Sequence, residues 1–197
     1  LKKMDEYVDE QINFGQPLRK EWSELLPINK WADFLKETAP YFEDYLGHPD
    51  DGEYWWKINV VRHKENVSVP ILHVSSWYDI FLEGAINAYS AIRDGSAFPQ
   101  ARSGQRLFLG PWGHLFPYTI PNSGGTGDID FGPSALVDLS EHQLRWFDYW
   151  LKDIGPGLMD EPPVTVFVMG ENRWRTFEDW PPPSAHYVPY YLHSGGS

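Results

Sequence analysis

With 197 residues the chain is long enough for one domain or two small ones around a real core, and a hydrophobic content of 42% argues against disorder. A net charge of −12 is the wrong sign for nucleic acid or an anionic membrane surface, both of which recruit basic patches. The absence of cysteine removes a disulfide framework, a thiolate nucleophile and a Cys-type zinc site, and leaves the compartment, cytoplasmic or secreted, open.

No apolar run approaches the ~18 residues of a membrane-spanning helix. Residues 1 to 46 read as short surface helices. Leu25-Leu26-Pro27-Ile28 punctuates them, and Lys30 to Thr38 resumes with Trp31, Phe34 and Leu35 on one side until Ala39-Pro40 stops it. His48-Pro49-Asp50-Asp51-Gly52 is a turn, followed by Glu53-Tyr54-Trp55-Trp56. The nearby carboxylates Asp44, Asp50, Asp51 and Glu53 are expected to be turn formers and solvated charges, the less favoured alternative being a cluster that binds a substrate amine.

Val67 to Ser75 (VSVPILHVS) is β-branched, aliphatic and too short for a helix, the pattern of a buried strand. It runs into Trp77-Tyr78-Asp79. A helix is predicted over Ile80 to Arg93, with Phe81, Ala85, Ala88 and Ile92 on one side and Asp94-Gly95 closing it. Arg106 to Leu109 is a second strand, broken by Gly110-Pro111 before Trp112-Gly113-His114. An acid and a histidine therefore leave the ends of two strands joined by one helix. Ligands in open α/β sheets bind beyond the carboxyl ends of the strands. A carboxylate behind a histidine fixes the ring's tautomer and stabilises the imidazolium that forms when the ring takes a proton. The chain order of acid before histidine is that of the α/β-hydrolases. The plainer alternative is an Asp capping the next helix and a surface histidine.

Leu115 to Pro133 is a Gly- and Pro-rich loop that follows His114 directly and is expected to help wall a pocket. Its Gly124-Gly125-Thr126-Gly127 is no phosphate loop, since no Lys-Ser/Thr follows. Leu139 to Ile154 is the clearest helix, with Ser140 and Gln143 as a capping box. Its expected core face carries Leu144, Phe147, Leu151 and Ile154, with Trp146 and Trp150 alongside. His142 falls on its polar side. Beyond Gly157 the period changes: Pro163 to Met169 is a strand, Gly170-Glu171-Asn172 a turn, Arg173-Trp174-Arg175 the start of another strand, and Tyr187 to Leu192 a further one. None of the seven histidines has H-x-H or H-E-x-x-H spacing, so no metal and no cofactor is expected.

Five phrases in order carry a resemblance: HPDDGEYWW (48–56), VPILHVSSWYD (69–79), LFLGPWGH (107–114), LRWFDYWLK (144–152) and PPVTVFVMGENRWR (162–175). Together they resemble the serine hydrolase family of cocaine esterase, X-Pro dipeptidyl-peptidase, α-amino-acid ester hydrolase and glutaryl-cephalosporin acylase. The resemblance covers residues 40 to 197, and Trp77-Tyr78-Asp79 and Gly110 to His114 are its most specific parts. It implies an α/β fold: a helical cap segment at 1–66, the C-terminal part of an α/β-hydrolase core at 67–157, and the first strands of a β jelly-roll domain at 158–197. It also implies Asp79 as triad acid and His114 as triad base, with Trp77, Tyr78 and Phe81, and Asp50 and Asp51 of the cap, contacting an acyl ester or amide substrate.

Two departures stand out. Ser76 occupies a position where family members commonly have glycine, a change expected to alter a turn rather than the chemistry. No G-x-S-x-G nucleophile elbow is present; Ser96, Ser103, Ser123 and Ser194 have glycine neighbours without the strand–elbow–helix setting, and Ser75 and Ser76 precede the acid on its own strand. The expectation is a C-terminal part of a longer enzyme, inert alone and dependent on the remainder of the parent chain, with self-association left open. The competing expectation is a non-catalytic aromatic-rich module binding carbohydrate or protein, with Trp174, Trp180, Tyr190 and Tyr191 as stacking platforms.

Overall fold

The computed structural model describes residues 26–37, 39–114, 125–126, 128–192 and 195. The chain divides into two compact units, Leu1–Asn59 and Val60–Ser197. In the first, two short helices, α1 (Trp31–Leu35) and α2 (Tyr41–Gly47), bear out the helical reading of residues 1 to 46 where it is described, and a third, α3 (Glu53–Trp56), follows the turn where no helix was expected; the extension of that reading through residues 1–25 and Thr38 lies outside the described residues. Aromatic contacts hold this unit: Trp31 stacks on Phe42 at 6.2 Å, and Tyr45 meets Trp55 at 5.0 Å. The Trp55 indole donates to the carbonyl of His48 at 2.7 Å, which ties the turn to α3.

The second unit is built on a four-stranded sheet. Strands β1 (Ile71–Tyr78) and β2 (Gln105–Gly113) pair in parallel, linked by α4 (Leu82–Gly95) and α5 (Pro99–Ser103). A small antiparallel ladder of β3 (Gly125–Thr126) and β4 (Ile129–Asp130) follows, then α6 (Leu139–Lys152). Strand β5 (Val164–Val168) pairs in parallel with β2, and β6 (Arg173–Phe177) lies antiparallel to β5. Strand alternation sorts the core into two faces. Leu107, Leu109, Val164 and Val166 meet Tyr89, Leu82 and Ile86 of α4. Phe108 and Trp112 meet Leu139 of α6 on the opposite side. Helices therefore cover both faces of β2, which is why Leu107, Phe108 and Leu109 are all buried and read as one apolar run. Among the described residues no helix is long and apolar enough to cross a membrane.

Several expectations are corrected. Gly110-Pro111 does not break β2, which runs on to Gly113. The β2–β5 ladder spans only Leu107 to Leu109, so Pro111, which lacks an N–H, stands where that side of β2 needs no donor. Gly110 is required there because a Cβ would fall 2.1 Å from the Trp112 ring. In α4 the buried residues are Tyr89 and Ile92, while Phe81 precedes the helix and is exposed. The N-cap of α6 is Asp138, whose carboxylate accepts the N–H groups of Ser140 and Glu141, in place of the expected capping box at Ser140. Its buried residues are Leu139 and Trp146, while Leu144, Phe147 and Leu151 are exposed. Ile154 lies beyond the helix, past Asp153 in the left-handed region. Strands β5 and β6 form where expected, but they extend the sheet of β1 and β2. Tyr187 to Leu192 forms no strand and is exposed throughout, having no neighbouring strand among the described residues to bond.

Candidate active site

Parallel pairing of β1 and β2 sets their carboxyl ends side by side, through partners Ser76↔Gly110 and Tyr78↔Gly113 with an irregularity between them. Asp79 follows the last residue of β1, and His114 the last residue of β2. At Asp79 the chain turns back: its N–H donates to the Ser76 carbonyl at 3.0 Å, and its own carbonyl accepts from Leu82 N–H at 3.2 Å. The side chain is thereby folded over the strand it has just left.

His114 Nδ1 lies 3.0 Å from Asp79 Oδ1. The same oxygen accepts the Phe81 N–H at 2.9 Å, and Oδ2 accepts the hydroxyl of Ser75 at 3.2 Å. The Asp79 side chain is 13% exposed and that of His114 45%, an enclosed acid behind an open base. Burial pulls the Asp79 carboxyl upward, but the Phe81 N–H, His114 and Ser75 together outweigh it and hold the group below the usual carboxylate range. An ionised carboxylate only accepts, so in the neutral imidazole the ring proton sits on Nδ1 and Nε2 keeps its lone pair. Among the described residues no serine hydroxyl is hydrogen-bonded to that nitrogen.

The other predicted residues divide. The Phe81 ring packs edge-on against His114 at 5.1 Å, and Tyr78 is exposed with its ring 6.3 Å from Phe131. Alternation sends Trp77 the other way: its indole donates to the Phe167 carbonyl of β5 at 2.6 Å, and it packs on the cluster of Tyr89 and Leu107. Asp50 and Asp51 belong to the Leu1–Asn59 unit. There Asp51 accepts the Trp56 indole at 2.8 Å, and Asp50 lines a hollow with His48, Glu53, Tyr54 and Lys57. Trp174 and Trp180 are not free stacking platforms. Trp174 packs against Phe108 and donates to the Ser134 carbonyl, and Trp180 packs on Trp77. Tyr190 and Tyr191 are exposed. His142 is exposed at the edge of a groove beside Phe108. Among the described residues no three His, Asp or Glu side chains cluster so as to hold a metal ion. Of the loop wall expected at 115–133, residues 115–124 and 127 lie outside the described residues, and the remainder is not all loop, since it contains the β3–β4 ladder. Ser75 and the Phe81 N–H are the site groups that the sequence reading missed; a hydroxyl four residues before the acid was the available signal for the first.

The model of the X-Pro dipeptidyl-peptidase (S15) family matches residues 3–116, more than half of the chain and including Asp79 and His114. The model of the X-Pro dipeptidyl-peptidase C-terminal non-catalytic domain matches residues 156–197, which include the β5–β6 hairpin. A cocaine esterase of a Rhodococcus species is 30% identical over 167 residues, 83% of this chain and 27% of that protein. A putative Xaa-Pro dipeptidyl-peptidase of Bacillus anthracis is 29% identical over 154 residues, 77% of this chain and 21% of that protein. Among solved structures, an aminopeptidase from a marine-sediment Thaumarchaeota archaeon superposes with a TM-score of 0.68 at 25% identity, over 84% of this chain and 26% of that one. The chain thus spans about a quarter of the length of the relatives it matches.

Proposed function

This chain belongs to the X-Pro dipeptidyl-peptidase (S15) family, and on that premise we propose that it carries the acid and the base of a serine acyl hydrolase whose nucleophile is supplied by polypeptide outside these residues. The observation that carries the reading is the 3.0 Å contact of His114 Nδ1 with the enclosed, ionised Asp79, which leaves Nε2 without a hydrogen-bond partner among the described residues. In this mechanism Nε2 takes the proton of a serine hydroxyl as that oxygen attacks the ester or amide carbonyl. The imidazolium so formed is stabilised by Asp79 and returns the proton to the departing alcohol or amine. Water then repeats the sequence on the acyl-enzyme. Donors to the carbonyl oxygen would come largely from the same outside polypeptide.

The exposed rings of Phe81 and Tyr78 suit contact with an apolar acyl or leaving group beside the base. Trp77 serves the reading as a prop, since its indole nitrogen is already bonded to β5. Asp50 and Asp51 remain the candidates for a substrate amine. The 158–197 segment is proposed as the opening of a jelly-roll domain whose first hairpin is anchored on the core sheet.

The test is turnover by the full-length polypeptide of p-nitrophenyl esters and of X-Pro p-nitroanilides, with the His114→Ala variant beside it. Hydrolysis of either class, lost in the variant while the fold persists, supports the proposal. Undiminished hydrolysis in the variant removes it.

A further inference from the structure

Resting on the reading of Asp79 as the triad acid, we propose that Ser75 is a positioning residue for it: its buried hydroxyl holds Oδ2, so that Oδ1 alone is presented to His114. Rotation of a carboxylate about its last bond is soft, with broad and roughly two-fold wells. A single donor on one oxygen does not fix the plane. Here three donors converge from three places in the chain: the Ser75 hydroxyl from β1 at 3.2 Å, the Phe81 N–H from the turn at 2.9 Å, and His114 from beyond β2 at 3.0 Å. The first two do not depend on the histidine, so the carboxylate is oriented before the base engages it.

Ser75 is well placed for this task. It is 6% exposed, and it sits within the regular part of the β1–β2 ladder opposite Leu109. Its Cα is therefore held by a parallel pair covered on both faces, a stiffer support than the turn that carries Asp79. The next residue, Ser76, reaches toward the Gly113 carbonyl at 3.5 Å, too long to count as a firm bond. The orienting work falls to Ser75.

Loss of this donor has two consequences that a merely space-filling serine would lack. The carboxylate gains freedom to turn away from Nδ1, which lowers kcat without touching substrate binding. The carboxylate also becomes more basic, so the Asp79–His114 pair holds a proton more tightly and the acid limb of kcat/KM moves to higher pH. In the full-length polypeptide, Ser75→Ala should lower kcat about 3- to 10-fold, the range for an ordinary hydrogen bond, because at 3.2 Å the contact is longer than a strong charge-assisted one. KM should stay within about twofold, and the acid limb should rise by about half a pH unit or more. Ser75→Thr restores the hydroxyl and should recover most of kcat and the original limb. Should the alanine variant not fold, Ser75→Cys, similar in size with only a weak donor, takes its place.

An Asp79→Asn reference separates the two levels. If Asp79→Asn abolishes turnover while a folded Ser75→Ala keeps wild-type kcat and the wild-type limb, the role of Ser75 is refuted and the triad reading stands. If kcat falls but the limb stays put and Ser75→Thr restores nothing, Ser75 is a packing residue and the inference also fails. If Asp79→Asn itself turns over normally, the triad reading fails and takes this inference with it.

Discussion

Asp79→Asn is the substitution that isolates charge from shape. Asparagine keeps an oxygen where Oδ1 accepts from Phe81 and His114, and places an amide where Oδ2 meets Ser75, whose hydroxyl accepts as readily as it donates. The fold is therefore retained, and what is lost is the negative charge 3.0 Å from the ring nitrogen. At an effective dielectric of ~20, unit charges at that separation attract by about 5.5 kcal/mol. With 1.36 kcal/mol per tenfold, this corresponds to about 10⁴ in rate. The open side of His114 admits solvent that screens part of this attraction, so the expected loss lies between about 10³- and 10⁴-fold, in line with triads generally. The assay is kcat/KM of the full-length variant on a p-nitrophenyl ester near neutral pH, with circular dichroism to verify the fold. A folded variant that loses less than about tenfold would refute the reasoning, because the charge would then not be stabilising a developing imidazolium.

The buried His73 gives a pH test of the fold. Burial pushes its imidazole below the ordinary range, against the opposing bond from Nε2 to the Gln105 oxygen at 2.7 Å. The unfolded chain takes up this proton near pH ~6.5 while the folded chain resists it, so the stability at stake is intact above that value and is lost as pH falls below it. The slope is at most ~1.4 kcal/mol per pH unit. Thermal midpoints at pH 5 and pH 8 should therefore lie further apart in the parent than in His73→Gln, which cannot titrate; equal gaps would show that His73 is protonated in the fold. At the start of α6, Asp138→Ala should destabilise by about 1 kcal/mol through loss of the cap, and Ser140→Ala by much less. Urea midpoints ranked the other way would return the cap to Ser140.

How much of this was legible follows from the physics of each element. Parallel strands covered on both faces are near-continuous apolar runs, so β1 and β2 declared themselves, and with them the Asp79 and His114 at their ends. Gly110-Pro111 misled because proline breaks a strand only where its missing N–H is wanted, and the short reach of the β2–β5 ladder is a tertiary fact. In α6 two stripes lie side by side. One contains Leu139 and Trp146, the other Leu144, Phe147 and Leu151, and helical periodicity cannot tell which one meets the sheet. The β5–β6 hairpin has the same alternation whether it opens a new sheet or extends an old one, and only its pairing with Leu107 to Leu109 decides. The contact of Ser75 with Asp79 escaped notice for a related reason. Its hydroxyl reaches Asp79 only because the chain folds back after Tyr78, a turn written in backbone bonds at Asp79 and Leu82 rather than in any residue pattern.

The most direct test of the account is to label the full-length polypeptide with a fluorophosphonate probe and map the adduct by mass spectrometry. The account predicts one labelled serine outside the 197 residues of this chain, with labelling abolished by His114→Ala. Labelling that survives His114→Ala, or an adduct on one of the serines within this chain, would contradict it.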